Sequence, residues 1–146
     1  MSKANSMEQE VIALFFNATT WAGIAINATA SVLASTWVSL HTADPGEAGT
    51  AVTNEIAYTG YARVGVVRTT AGWTCTTGTA SNAAAITFPL CSATTATGAA
   101  THFGIVETSG VAAGKLYYSG ALTATLNISN GITPSFAIGA LVVTED

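Results

Sequence analysis

The sequence predicts a mainly β protein: an antiparallel β-sandwich, jelly-roll-like, with one short N-terminal helix. Three observations carry this. From residue 36 onward, short runs rich in Thr, Val, Ile and aromatics alternate with Gly, Pro, Asn and Asp. A helical period is clear only once, near the start. No strand-helix-strand alternation follows, so a parallel sheet is not expected.

The helix is read from Ser6 and Gln9, three residues apart, which form a capping box ahead of Val11, Leu14 and Phe15 at i, i+3, i+4 spacing. It should cover residues 7–16. Ile12 and Phe16 widen its apolar face, so it should dock on a sheet or on a neighbouring subunit. Residues 17–34 read as irregular chain or weak strands. The chain therefore divides into a helix and extended arm over residues 1–35 and a β-sandwich domain over residues 36–146.

The first strand spans residues 36–42, with Val38 and Leu40 on one face and Trp37, Ser39 and His41 on the other. Asp44-Pro45-Gly46 and then Gly49 make residues 43–59 a long loop. Residues 61–70 resume as a strand, with Val64 and Val66 inward and Arg63 opposite. Further strands are expected at 73–77, 84–88 (stopped by Pro89), 101–107, 115–128 and 135–143. Asn130-Gly131 predicts a type I′ hairpin between the last two. Gly65, Gly104 and Gly120 fall inside strands, where glycine marks a bulge or a close backbone approach.

Composition bounds the function. A chain of 146 residues fits one domain. Only 8% of it is charged, against about 25% in an ordinary soluble protein. So few charges give weak repulsion between copies, which predicts a surface largely covered by partners in a homo-oligomer or larger assembly. Lys3, Arg63, Arg68 and Lys115 are too scattered to follow a phosphate track, and the net charge is −4, so nucleic acid is not an expected partner. Mean hydropathy is +0.46, yet no run reaches the roughly 20 apolar residues of a spanning helix, so a membrane is not expected either. The N-terminus lacks a basic-then-apolar export layout, which makes a cytoplasmic product the default. Cys75 and Cys91 read as buried thiols, too few for a zinc set.

The search for chemistry yields weak candidates. Ser39, His41 and Asp44 suggest a triad, but Ser39 and His41 share a strand face about 7 Å apart, and no nucleophile elbow is present. Asp44 before Pro45 reads instead as an Asx turn. A metal site would need His41 and His102 to converge with a carboxylate such as Glu107, and no supporting H-x-H spacing occurs. Catalytic, cofactor and metal sites are therefore not expected. Trp21, Trp37, Trp73, Tyr58, Tyr61, Tyr117 and Tyr118 are able to stack on sugars or bases, but packing in cores and interfaces is the plainer reading.

Some segments carry a resemblance. Leu40-His41-Thr42-Ala43-Asp44-Pro45-Gly46 followed by Gly60-Tyr61-Ala62-Arg63-Val64 resembles the signature of small tailed-bacteriophage virion proteins. Thr101-His102-Phe103-Gly104-Ile105 and residues 116–122 look similar to it as well. Such proteins are often labelled tail fibre proteins, while others are capsid cement, or decoration, proteins of jelly-roll-like fold. The resemblance implies a non-enzymatic virion role after assembly in the host cytoplasm. Its first implication is a dimer or trimer that binds the outer surface of the icosahedral shell and bridges neighbouring major capsid protein subunits. The alternative is a tail fibre or baseplate-associated protein binding a receptor or glycan. On the capsid reading, the contact elements are the helix, through Val11, Leu14 and Phe15, and the loop, through Asp44, Pro45 and Gly46.

Overall fold

The structure, a computed structural model, describes residues 4–21, 23–25, 33–92, 98–110 and 112–145. In chain order its elements are α1 (Asn5–Asn17), β1 (Ser35–His41), β2 (Val64–Val67), β3 (Trp73–Thr76), β4 (Thr79–Asn82), β5 (Ile86–Thr87), β6 (Gly98–Val106), β7 (Leu116–Ile128), β8 (Ser135–Phe136) and β9 (Val142–Thr144). The strands form sheets ordered β2-β1-β6-β7, β3-β4-β9 and β5-β8. The pairs β1–β6, β6–β7, β3–β4 and β4–β9 are all antiparallel. Among the described residues, then, the sequence builds a mainly β protein with antiparallel sheets and one N-terminal helix.

Two compact units interleave along the chain. The first comprises Met1–Ser35, Val66–Ile86 and Phe136–Asp146, and the second Thr36–Gly65 and Thr87–Ser135.

In the first unit, α1 lies on β3 and β4. Its fully buried residues, Ile12 and Phe16, are four apart and so project from one face. Phe16 meets Trp73 edge to face, ring centroids 4.6 Å apart. The expected capping box is not formed. Helix begins two residues earlier, Ala4 is the N-cap without a side-chain bond, and Ser6 lies inside the first turn. Gln9 instead accepts a hydrogen bond from the Gly78 N–H at 2.9 Å, so a tertiary partner outcompetes the local cap. The helix ends on Ala18 in the left-handed region, φ 53°. Arg68 caps it from afar: its Nε donates to Phe15 O, Nη2 to Leu14 O and Nη1 to Leu33 O.

The hairpin β3–β4 was not legible as such. Thr77 and Gly78 both have positive φ, 51° and 73°, as a type I′ turn requires, and Thr76 faces Thr79 across the ladder. The run at 135–143 splits into β8 and β9 around a turn in which the Ala140 N–H donates to Ala137 O at 3.0 Å. Asn82, almost fully buried, holds that turn. Its Nδ2 donates to Ala84 O and Ala137 O, both at 2.8 Å, and its Oδ1 accepts the Leu141 N–H at 2.9 Å. Every polar atom of the side chain is used, the condition for burying an amide.

In the second unit, β1 pairs with β6 from Trp37↔Val106 to His41↔His102. Val38, Leu40, Phe103 and Ile105 occupy one face of this pair and are buried. Ser39 and His41 on the other face are buried as well, so β1 is covered on both sides. β7 is the last strand of its sheet and its register on β6 slips twice, between Ala100 and His102 and between Ile105 and Val106. Glycines admit the close contacts expected of them. A Cβ on Gly120 would stand 2.8 Å from the Phe103 ring, and one on Gly65 would stand 3.0 Å from Trp37. The Asn130-Gly131 hairpin is a correction. A turn forms there, with the Ile132 N–H donating to Ser129 O, but only Gly131 has positive φ. The strands on either side pair elsewhere, β7 with β6 and β8 with β5, so the turn is not a hairpin. Residues 93–97 lie outside the described residues, and Gly98, Ala99 and Ala100 belong to β6.

Candidate functional site

Ser39 and His41 are closer than backbone spacing suggests: the Ser39 Oγ lies 2.8 Å from His41 Nε2. The strand places their Cα atoms apart, but the two side chains lean together over Gly104. A Cβ there would stand 2.7 Å from both His41 Nε2 and Ser39 Oγ. His41 Nδ1 lies 2.8 Å from Thr53 O, an acceptor only, so Nδ1 carries the proton and Nε2 accepts from the serine. Burial holds the His41 pKa below its ordinary value, partly offset by the bond to Thr53. This has the hydrogen-bond pattern of a serine-histidine dyad, with two differences. The third group is a main-chain carbonyl rather than Asp44, and both side chains are fully buried, which leaves a substrate no approach to Oγ.

His102 is the register partner of His41, so the two histidines are indeed neighbours. Both ring nitrogens of His41 are engaged by Ser39 and Thr53. Glu107 Oε2 accepts the Lys115 N–H. Among the described residues, no group of three or more His, Cys, Asp or Glu is suited to a metal ion.

The loop after β1 is built as its turn chemistry demands. Asp44 Oδ1 accepts the Gly46 N–H at 2.9 Å, the expected Asx turn, and Asn54 Nδ2 ties Asp44 O from across the loop at 3.0 Å. What anchors the loop is Arg63. Its Nε and Nη2 meet Glu55 Oε1 and Oε2 at 2.7 and 2.6 Å, Nη2 also donates to Ala51 O, and Nη1 donates to Thr108 O and Gly110 O. All five guanidinium donors are satisfied. Tyr61 Oη donates to Glu55 Oε1 and accepts the Leu40 N–H. Burial, the largest cause, raises the Tyr61 pKa far above its ordinary value, so the phenol stays neutral. The Gly60 to Val64 motif is therefore a clamp that fastens two loops to the sheet.

Beside this loop lies an open cleft of about 560 Å³. Its floor is formed by residues 116–121 of β7 together with His102, and its wall by Asp44, Gly46 and Glu47. Asp44, Gly46 and Glu47 are exposed, whereas His102, Tyr117 and Tyr118 are half-buried. Composition alone did not single out this cleft. The one signal was a pair of adjacent tyrosines beyond an acidic turn, and only strand pairing brings them together.

The residues expected as partner contacts fall in different units. Val11, Leu14 and Phe15 are half-buried on α1 in the first unit. Asp44 and Gly46 are exposed on the second unit's loop, while Pro45 between them is buried. Cys75 and Cys91 are thiols, one in each unit, and burial pushes the Cys75 pKa up to about 11.

Residues 3–144 match the family described as Podophage GP4 fiber I protein gp80. The chain belongs to this family. Since the match leaves out only two residues at each end, it takes in the Asp44 turn, the Arg63 clamp and the cleft alike. No curated protein sequence matches the chain. Membership makes it a bacteriophage virion structural protein.

Proposed function

We propose that this family member is a non-enzymatic subunit of a virion fibre, acting through self-association and contact with other virion proteins. The observation that carries the reading is the outer strand of the four-stranded sheet. β7 has thirteen residues and not one charged side chain. Natural proteins protect a long sheet edge with charges, proline or bulges, and among the described residues β7 has only its register slips. An edge of this kind suits a strand that meets another protein surface in an assembly. The family's description as a fibre protein favours a fibre over the capsid decoration that the sequence motifs suggested. The buried Ser39–His41 pair fits a structural role for both residues.

Gold-labelled antibody against the purified chain, applied to intact virions, tests this. Label on appendages, with a few to a few dozen copies per particle, is expected. Several hundred copies spread over the shell would overturn the fibre reading in favour of capsid decoration and contact with the major capsid protein.

A further inference from the structure

We infer that Asn130 is a site of spontaneous covalent modification, converting to aspartate and isoaspartate through a succinimide at a rate set by opening of the Gly131–Cys91 hydrogen bond. Asn130 is the only asparagine of the sequence that glycine follows. In the reaction the Gly131 backbone nitrogen attacks the Asn130 side-chain carbonyl carbon, forming a C–N bond, and the side-chain nitrogen leaves as ammonia. Water then opens the ring at either carbonyl, giving aspartate or isoaspartate without oxidation or reduction. Glycine favours the attack because it has no Cβ to crowd its nitrogen. Asn127, also exposed, precedes the β-branched Ile128, and Asn82 is buried with its amide fully engaged.

The turn supplies both access and restraint. Asn130 and Gly131 are exposed, a Cβ on Gly131 would meet nothing within 4 Å, and the Asn130 amide has no hydrogen-bond partner among the described residues. Bulk therefore does not obstruct ring closure. The backbone does. The Gly131 N–H donates to Cys91 O at 2.9 Å and the Cys91 N–H donates to Ile132 O at 2.9 Å, so the attacking nitrogen is bracketed against a buried residue. The Ile132 N–H donates to Ser129 O, and Gly131 alone of the central pair has positive φ, 83°. This is the pattern of a type II turn, which holds ψ of its second residue near about +120°. Closing the ring requires that torsion to rotate and the nitrogen to leave its acceptor. The closed turn is thus the unreactive state and the locally opened turn the reactive one. Conversion places a new carboxylate beside Ile132 and, across the Cys91 pairing, near Leu90, both exposed apolar residues. Isoaspartate also adds a carbon to the main chain, which spoils the fit of the turn against Cys91. The inference stands apart from the fibre reading, since it is tested on purified chain and not on virions.

The test holds the full chain for weeks in mildly alkaline buffer, natively and in denaturing urea, while peptide mapping by mass spectrometry follows each asparagine. Hydrogen exchange of the Gly131 amide measures opening of the turn under the native conditions. Asn130 should convert in the native chain ahead of Asn54, Asn82 and Asn127, and about tenfold or more faster in urea. The ratio of the two rates should match the protection of the Gly131 amide from exchange. Gly131→Ala, compared with the unaltered chain in urea so that folding plays no part, should slow conversion severalfold. No conversion at Asn130 in the native chain, equal rates with and without urea, or an unchanged rate in Gly131→Ala would overturn the assignment.

Discussion

Arg63 and Glu55 meet fork to fork, Nε to Oε1 at 2.7 Å and Nη2 to Oε2 at 2.6 Å, with the arginine side chain only 2% exposed. Planar two-point pairing is a geometry that lysine cannot reproduce. Removing one member of such a pair strands the other charge. Arg63→Met should therefore destabilise the protein by about 3–5 kcal/mol in urea unfolding. Arg63→Met combined with Glu55→Leu should cost less than the sum of the single changes, because no buried charge is then left unpaired.

His41 makes stability depend on pH. Its folded pKa lies below the ordinary value of 6.5, so the unfolded chain binds its proton first as pH falls. The stabilisation from keeping this ring neutral is complete above about pH 6.5 and is lost as pH falls through the lowered folded value. Thermal unfolding from pH 8 to pH 4.5 should show this decline. His41→Gln should remove the part of the slope that histidine contributes.

Gly104 has no room for a side chain, since a Cβ would stand 2.7 Å from both Ser39 Oγ and His41 Nε2. Gly104→Ala should cost about 1–3 kcal/mol, the usual penalty of overpacking. Chemical denaturation of the variant measures it. An unchanged midpoint would mean that the two side chains shift aside at no cost.

Arg68 closes the C-terminus of α1 by donating to Leu14 O and Phe15 O, and the last turn has no basic residue of its own. Arg68→Met leaves those carbonyls without their charged donor, and hydrogen bonds to charged groups contribute roughly 1.5–3 kcal/mol. Faster amide exchange in the last turn of α1 is the expected result.

Ala18 ends the same helix at φ 53°, where an L side chain is strained and glycine is not. Ala18→Gly should raise stability by up to about 1 kcal/mol, read from the thermal midpoint. A loss would show that the alanine methyl contributes packing that outweighs the strain.

The sequence by itself determined the class of the protein, the single helix and most strand positions, because these follow from the period of side chains along one segment. It also determined the Asp44 turn, an interaction across two residues, and the crowding at Gly65, Gly104 and Gly120. It missed β4 because Thr77-Gly78 is a weaker turn signal than Asn-Gly, and it misjudged Asn130-Gly131 because strand partners are chosen by the whole sheet. Tertiary structure alone decided the rest. Gln9 abandoned a local cap for Gly78, Arg63 found acceptors in loops up to 47 residues away, and Ser39 reached His41 over a glycine on the neighbouring strand. The cleft is of the same kind, since Asp44 and Glu47 come to Tyr117 and Tyr118 only because β1, β6 and β7 lie side by side. Such long-range encounters leave no trace in periodicity, which records a residue's immediate neighbours and not the partners that folding brings to it.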